Sequence, residues 1–210
     1  MAAEVAPVTV VLWDADGVLQ RVTGGGEESM RPAVAGRVED EEGFLEAAYW
    51  AELPALAGEV SWLDVLPGLL ERWGVADRYD DVVRGWLSIE PVEATHDLLR
   101  ALREAGLRCY LATNQQTRRA KWMRGNLGYE ETFDRQFYSC ELGLAKPDPA
   151  YFAAILEELD VKASTVLFVD DTAVNIDGAT SVGLHAELFR RHGGRAALEE
   201  ILRSYVVLGR

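Results

Sequence analysis

Two cysteines, Cys109 and Cys140, and three lysines, Lys121, Lys146 and Lys162, are all that the 210-residue chain has of either type. So few thiols exclude a disulfide scaffold, and with no ligand spacing among His96, His185 and His192 they exclude a structural zinc cage. Those histidines are expected at the surface. Long apolar runs are also missing: stretches such as Val8 to Trp13 fall far short of the roughly 20 residues that cross a bilayer. The first residues lack a basic segment followed by an apolar one, so no secretory signal is expected. Positive charge is scarce, with 21 basic against 35 acidic residues and a net charge of −14. Such a surface repels nucleic-acid phosphates and anionic lipid at long range. Neither nucleic acid nor membrane is an expected partner, and a cytoplasmic enzyme or binding protein is left. An anionic substrate would need a local cluster of cations or backbone N–H groups.

An apolar share of 49% with 27% charged residues is the balance of a globular protein, and the length suits one domain with an insertion. Thr9 to Trp13 reads as a strand buried on both faces and stops at Asp14-Ala15-Asp16-Gly17. Residues 23–31 are glycine-rich and polar and predict a mobile loop. From about 39 to 90 apolar residues recur at three- and four-residue spacing, predicting helices over 42–53, 62–73 and 78–87 and no strand. After Pro91 the pattern alternates: a helix over 92–105, a strand over 107–112, a helix over 118–127 and a short strand over 136–139. Asp148-Pro149 then caps a helix, and Val166 to Val169 is a second doubly buried strand. A helix near 173–182, a strand near 186–189 and a final helix follow. This order predicts an α/β fold, a Rossmann-like parallel sheet flanked by helices, from residues 1–17 and 91–210. Residues 18–90 are expected to form an inserted small α-helical cap.

Ligands of open α/β sheets bind outside the carboxyl ends of the strands. Three predicted strands end in polar residues: Asp14 and Asp16, Thr113 and Asn114, and Asp170 and Asp171. Each pair alone could be turn chemistry. A parallel sheet, however, gathers all of them on one rim, where crowded carboxylates call for a cation. A hard divalent ion with oxygen ligands, Mg²⁺, fits that need, and it would recruit a phosphate. Lys146 lies between Ala145 and Pro147, ahead of Asp148-Pro149, where the prolines pin the backbone. A lysine so placed could neutralise phosphate and carboxylates together.

Together these residues resemble the haloacid dehalogenase-like hydrolase superfamily, dominated by Mg²⁺-dependent phosphatases. The motifs occur in order as Asp14-Ala15-Asp16-Gly17-Val18, Leu111-Ala112-Thr113-Asn114, Lys146-Pro147, and Val169-Asp170-Asp171 with Asn175. Residues 8–20 and 92–190 carry the resemblance, and 18–90 look like the family's small helical cap. Glu141-Leu142-Gly143 and the run Asn175-Ile176-Asp177-Gly178-Ala179 are most similar to the branch of bacterial sugar-phosphate phosphatases and the phosphatase-like domain of epoxide hydrolases. The resemblance implies a phosphatase acting on a small phosphorylated metabolite. Asp14 would be the nucleophile and Asp16 the general acid and base. Asp14, the Asp16 carbonyl and Asp171 would hold Mg²⁺, with Asp170 acting through water. Thr113, the Asn114 N–H and Lys146 would bind phosphoryl oxygens, and Asn175 would orient the lysine or the metal ligands.

A dehalogenase on the same fold needs neither Mg²⁺ nor the second acid of the first motif, so Asp16 and Asp170-Asp171 argue against it. A phosphomutase, or an idle relative that binds a phosphorylated ligand, keeps the same groups and stays open. Residues 18–90 carry 6 basic and 15 acidic residues, an acidic lid that disfavours polyanions. Trp73 and Trp86 fit apolar helix faces. Trp50 and Trp62 either pack likewise or flank the entrance to stack on a sugar, and Arg21 either reaches the substrate or lies on the surface. The oligomeric state is left open.

Overall fold

Val10–Trp13 (β1) is four apolar residues, each fully buried, and its alternate side chains serve two different cores. Val11 and Trp13 point to one face of a sheet and Val10 and Leu12 to the other, as the two-residue period of a strand requires. The computed structural model describes residues 7–22 and 26–205. After β1 come Gln20–Val22 (β2), Ile89–Pro91 (β3), Arg108–Thr113 (β4), Arg135–Tyr138 (β5), Val166–Asp170 (β6) and His185–Leu188 (β7). The main sheet has the order β5-β4-β1-β6-β7, and every pairing in it is parallel. The chain leaves β1 on one side for β4 and β5 and returns on the other for β6 and β7. The strand order therefore reverses at β1, which makes its carboxyl end the switch-point crevice.

Helices cover both faces. Glu93–Glu104, Thr117–Asn126 and Gly194–Tyr205 supply Leu99, Met123 and Leu198 to the face that holds Trp13. Pro149–Leu159 and Ala173–Ser181 supply Phe152, Ile155 and Ala179 to the other. Asp148 accepts the Ala150 N–H at 2.8 Å and so caps Pro149–Leu159 as its sequence predicts. Glu41–Leu56, Trp62–Arg72 and Tyr79–Trp86 enclose a separate core of Phe44, Ala48, Trp62, Leu66, Leu70, Val82 and Trp86.

The structure corrects the sequence reading in three places. The stretch between β1 and Glu93 is not strand-free, because β2 and β3 form an antiparallel ribbon through which both chain crossings into the helical unit run. Each strand has three residues, too few to display a period of two. Part of the expected loop, 23–25, lies outside the described residues. Gly26–Met30, by contrast, is a helical turn, with Met30 buried in the helical core. Of the two alternatives left open for Trp62 the structure shows packing, with the residue buried and its ring centroid 4.7 Å from that of Trp86.

His96 is the third correction, being 6% exposed on Glu93–Glu104 with Nε2 donating to the Leu19 carbonyl at 3.1 Å. Burial lowers its pKa below the ordinary histidine value, against the opposing pull of that hydrogen bond. A depressed folded pKa means that the unfolded chain takes up the proton first. The stability tied to neutral His96 is thus complete above pH ~6.5 and is lost as pH falls from there. Melting curves between pH 7.5 and 5.5 are expected to show a falling Tm, with a smaller fall in His96→Gln. An equal slope in both proteins would place the acid sensitivity elsewhere.

Candidate active site

The polar residues after β1, β4 and β6 converge at the carboxyl end of the sheet. Gly17 allows the first turn: its φ of 89° is left-handed, and a Cβ there would collide with the Asp171 carboxylate and Arg191. Asp14, at the end of β1, is 6% exposed, and Asp170, at the end of β6, is fully buried. Between them lies the Lys146 ammonium, with Nζ donating to Asp14 Oδ1 and Asp170 Oδ2, each at 2.6 Å. Asp170 also accepts the Thr172 N–H at 2.8 Å and the Asn175 amide at 3.0 Å. One ammonium between two buried carboxylates leaves an excess negative charge. Burial raises the Asp14 pKa most, Lys146 opposes it, and Asp170 adds to it; the net places Asp14 well above the ordinary carboxyl range. The Lys146 pKa is raised too, because the attraction of Asp14 and Asp170 outweighs its burial. Lys146 is thus held charged, and Asp14 is the carboxyl of the cluster that most readily takes a proton.

Asn114 holds the lysine's backbone. Its amide donates to the Lys146 carbonyl at 2.8 Å, and its Oδ1 accepts the Lys146 N–H at 2.9 Å. From behind, Gly178 packs so closely that a Cβ would strike the Pro147 carbonyl. Thr113 is buried beside them and accepts a 3.2 Å hydrogen bond from Gln115.

Asp16 faces a different set of partners. Gln20 Nε2 donates to it at 2.8 Å, Gln115 Nε2 at 2.7 Å, and Arg119 Nη2 at 3.0 and 3.2 Å to its two oxygens. Burial alone would raise its pKa, but the Arg119 guanidinium and the two amides outweigh it and hold the carboxyl below its ordinary value. Asp171 is bound from outside by Arg191, whose Nε lies 2.7 Å from Oδ2. Carboxylate oxygens of Asp14, Asp170 and Asp171 lie within 4.8 Å of one another, an all-oxygen set that fits a hard divalent ion and would relieve the excess charge. The side chain of Asp16 is outside that set. A cleft of about 600 Å³ opens over Asp14, Asp16, Thr113, Asn114, Lys146, Asp171 and Asn175, so the residues expected to act in catalysis, phosphate binding, metal binding or their orientation all line it except the buried Asp170.

Sequence reasoning missed Gln20, Gln115 and Arg119 around Asp16, and it missed Arg191. The rim rule, applied to β7 as to the other strands, would have found Arg191, which lies three residues beyond Leu188. It also missed Tyr49, Leu53 and Leu56, which wall the cleft from Glu41–Leu56. Arg21 is exposed and lines a separate hollow with Gly17 and Arg195. Trp50 is 61% exposed, next to Tyr49. Cys109 is buried in β4 with its thiol pushed up to about 12 by that burial, which suits packing and not nucleophilic chemistry.

A family profile described as haloacid dehalogenase-like hydrolase matches residues 8–183. A sesquiterpene phosphatase of Aspergillus oryzae is 32% identical over 97 residues, 46% of this chain and 49% of that protein, so the chain spans about half the length of this curated relative. Among solved structures, a HAD family enzyme of Bacteroides thetaiotaomicron superposes with a TM-score of 0.78 at 22% identity, covering 92% of this chain and 99% of that one. The same enzyme has been solved with magnesium and inorganic phosphate, and that form superposes at 0.70 with 23% identity, covering 88% and 95% of the two chains. An L-2-haloacid dehalogenase of Xanthobacter autotrophicus superposes at 0.65 with 23% identity, covering 95% and 84%. At these identities the structural likenesses establish the fold.

Proposed function

Since the chain belongs to the haloacid dehalogenase-like hydrolase family, we propose that it is a Mg²⁺-dependent phosphatase that hydrolyses a small phosphomonoester through an aspartyl-phosphate. The observation that carries this reading is the joint presence of Asp14 on Lys146 and of a second acid, Asp16, beside the same cleft. Asp14, Asp171 and the Asp16 carbonyl would hold the ion, with Asp170 close enough to contribute directly or through water. When bound, Mg²⁺ supplies the positive charge that keeps Asp14 ionised and neutralises the phosphoryl oxygens.

The residues divide the work as follows. An Asp14 carboxylate oxygen attacks phosphorus while the bond to the leaving oxygen breaks, and Asp16 gives that oxygen its proton. Asp16 then takes a proton from the water that attacks the phosphoryl group on Asp14, which frees inorganic phosphate and restores both acids. Thr113, the Asn114 N–H and Lys146 hold the transferring oxygens, so the barrier falls mainly through positioning and charge. Asn175 and the Thr172 N–H fix Asp170, which in turn holds the lysine. Arg119 and the two amides keep Asp16 ionised at rest. An arriving phosphate dianion would raise the proton affinity of Asp16, which then takes from solvent the proton that it donates to the leaving oxygen.

The dehalogenase alternative uses one aspartate on carbon, with no acid to protonate a halide, and leaves Asp16 and the three-carboxylate set without a task. We therefore favour the phosphatase. The test is release of inorganic phosphate from a panel of phosphomonoesters with and without Mg²⁺, alongside melting curves. Phosphate release that requires Mg²⁺, and a Mg²⁺-induced rise in Tm that Asp171→Ala largely removes, are the expected results. Absence of release from every ester by the folded protein would overturn the proposal.

A further inference from the structure

The substrate class follows from the wall that Glu41–Leu56 gives to the cleft. Resting on the phosphatase reading above, we infer that the ester's leaving group is an apolar hydrocarbon, alkyl or aryl, seated against Glu41–Leu56. A helix on a protein surface normally has one apolar stripe and an opposite charged face. Glu41–Leu56 has two apolar faces: Phe44, Leu45, Ala48 and Ala55 fill the helical core, while Tyr49, Leu53 and Leu56, spaced four and three residues apart, face the cleft. Its acidic residues Glu41, Glu42 and Glu46 lie in the first half, and Glu52 is buried. The residues by which this helix lines the cleft, Tyr49, Leu53 and Leu56, thus include no acid. Val174, from the start of Ala173–Ser181, lines the same cleft.

Among the described residues, the exposed large apolar side chains are Tyr49, Trp50, Val60 and Val174, at 44, 61, 41 and 55%. Tyr49 and Val174 line this cleft, and the Trp50 ring lies 5.3 Å from that of Tyr49. Exposed apolar surface thus gathers at the mouth of the cavity whose floor is Asp14, Thr113 and Lys146. A volume of about 600 Å³ is far larger than one phosphate and within the usual range for a bound small molecule. A sugar in that space would face leucines and one tyrosine hydroxyl on the helical side, leaving several hydroxyls without partners, at a loss of affinity. A hydrocarbon meets matching surface and shields the reacting phosphate from water.

The experiment uses the intact protein with Mg²⁺ and measures phosphate release from ethyl, butyl, hexyl and octyl phosphate, phenyl and naphthyl phosphate, and glucose 6-phosphate, all below their aggregation concentrations. The expected kcat/KM rises about 3-fold per methylene until the cleft is filled. It exceeds that for glucose 6-phosphate about 100-fold at the optimum. Comparison of the alkyl and aryl arms then says which hydrocarbon shape fits. In Leu53→Asn and Tyr49→Ser the ratio of octyl to ethyl phosphate is expected to fall about tenfold or more. Phosphate release that is independent of chain length, or fastest from glucose 6-phosphate, overturns the inference and leaves the phosphatase reading standing. No release from any ester overturns both.

Discussion

Asp14→Asn is expected to lower turnover at least ~10⁴-fold while leaving the protein folded. The amide keeps the shape of the carboxyl, but its oxygen is uncharged and too weak a nucleophile to attack phosphorus, so the covalent route closes. Folding should tolerate the change, because Asp14 carries the excess negative charge of its cluster: burial and Asp170 already push its pKa up against Lys146. Neutralising it removes a repulsion, and Lys146 keeps its 2.6 Å partner in Asp170. Single-turnover phosphate release and a melting curve in the absence of metal together check the point. A Tm within a few degrees of the parent with turnover lost is the expected pair. Turnover above about one hundredth of the parent would remove Asp14 from the nucleophile's role. A matching experiment on Asp16→Asn separates the two aspartates. Loss of Asp16 should be felt most with poor leaving groups, which need its proton, and less with an aryl phosphate whose leaving oxygen is already a weak base.

The polar rim of the sheet was readable because each of its parts follows a feature that sequence displays. Val10–Trp13 and Val166–Asp170 are apolar runs that end in aspartate, and Lys146 lies in a proline-framed segment. A parallel sheet then does the rest, since all its strands end on one side. What the sequence did not display is which way side chains point from irregular turns and helix starts. Gln20, Gln115 and Arg119 meet at Asp16 from two segments about a hundred residues apart, and nothing in their local pattern marks them. His96 is different, because it was legible and overlooked. It lies three residues before Leu99 on Glu93–Glu104, hence on the buried stripe of that helix. The two-faced character of Glu41–Leu56 was likewise present in Ala47 to Leu56, where Glu52 is the single charged residue. Reading for one apolar stripe per helix hid the second.

Lys146→Met should be the most destabilising single change in the site, by about 3–5 kcal/mol without metal, because it leaves two buried carboxylates with no counter-charge. The ammonium donates at 2.6 Å to both Asp14 and Asp170, and neither carboxylate has water enough around it to replace that partner. Methionine has similar length and no charge, so packing beside Phe168, which lies 5.2 Å from the ammonium, is kept. The backbone should hold its place as well, since Asn114 grips the Lys146 N–H and carbonyl and not its side chain. The variant therefore isolates the cation from the loop that carries it, whereas Asn114→Ala would release the loop and leave the cation present. Mg²⁺ is expected to recover a larger share of stability in Lys146→Met than in the parent, because the ion would meet carboxylates that no longer have a competing cation. Denaturant unfolding with and without Mg²⁺ measures both quantities. Turnover should stay low even when the metal has restored the fold, by about 10³-fold, since the phosphoryl oxygens lose a buried positive partner. Unchanged stability in Lys146→Met would mean that the two carboxylates share a proton at rest. The lysine would then act on the phosphate alone.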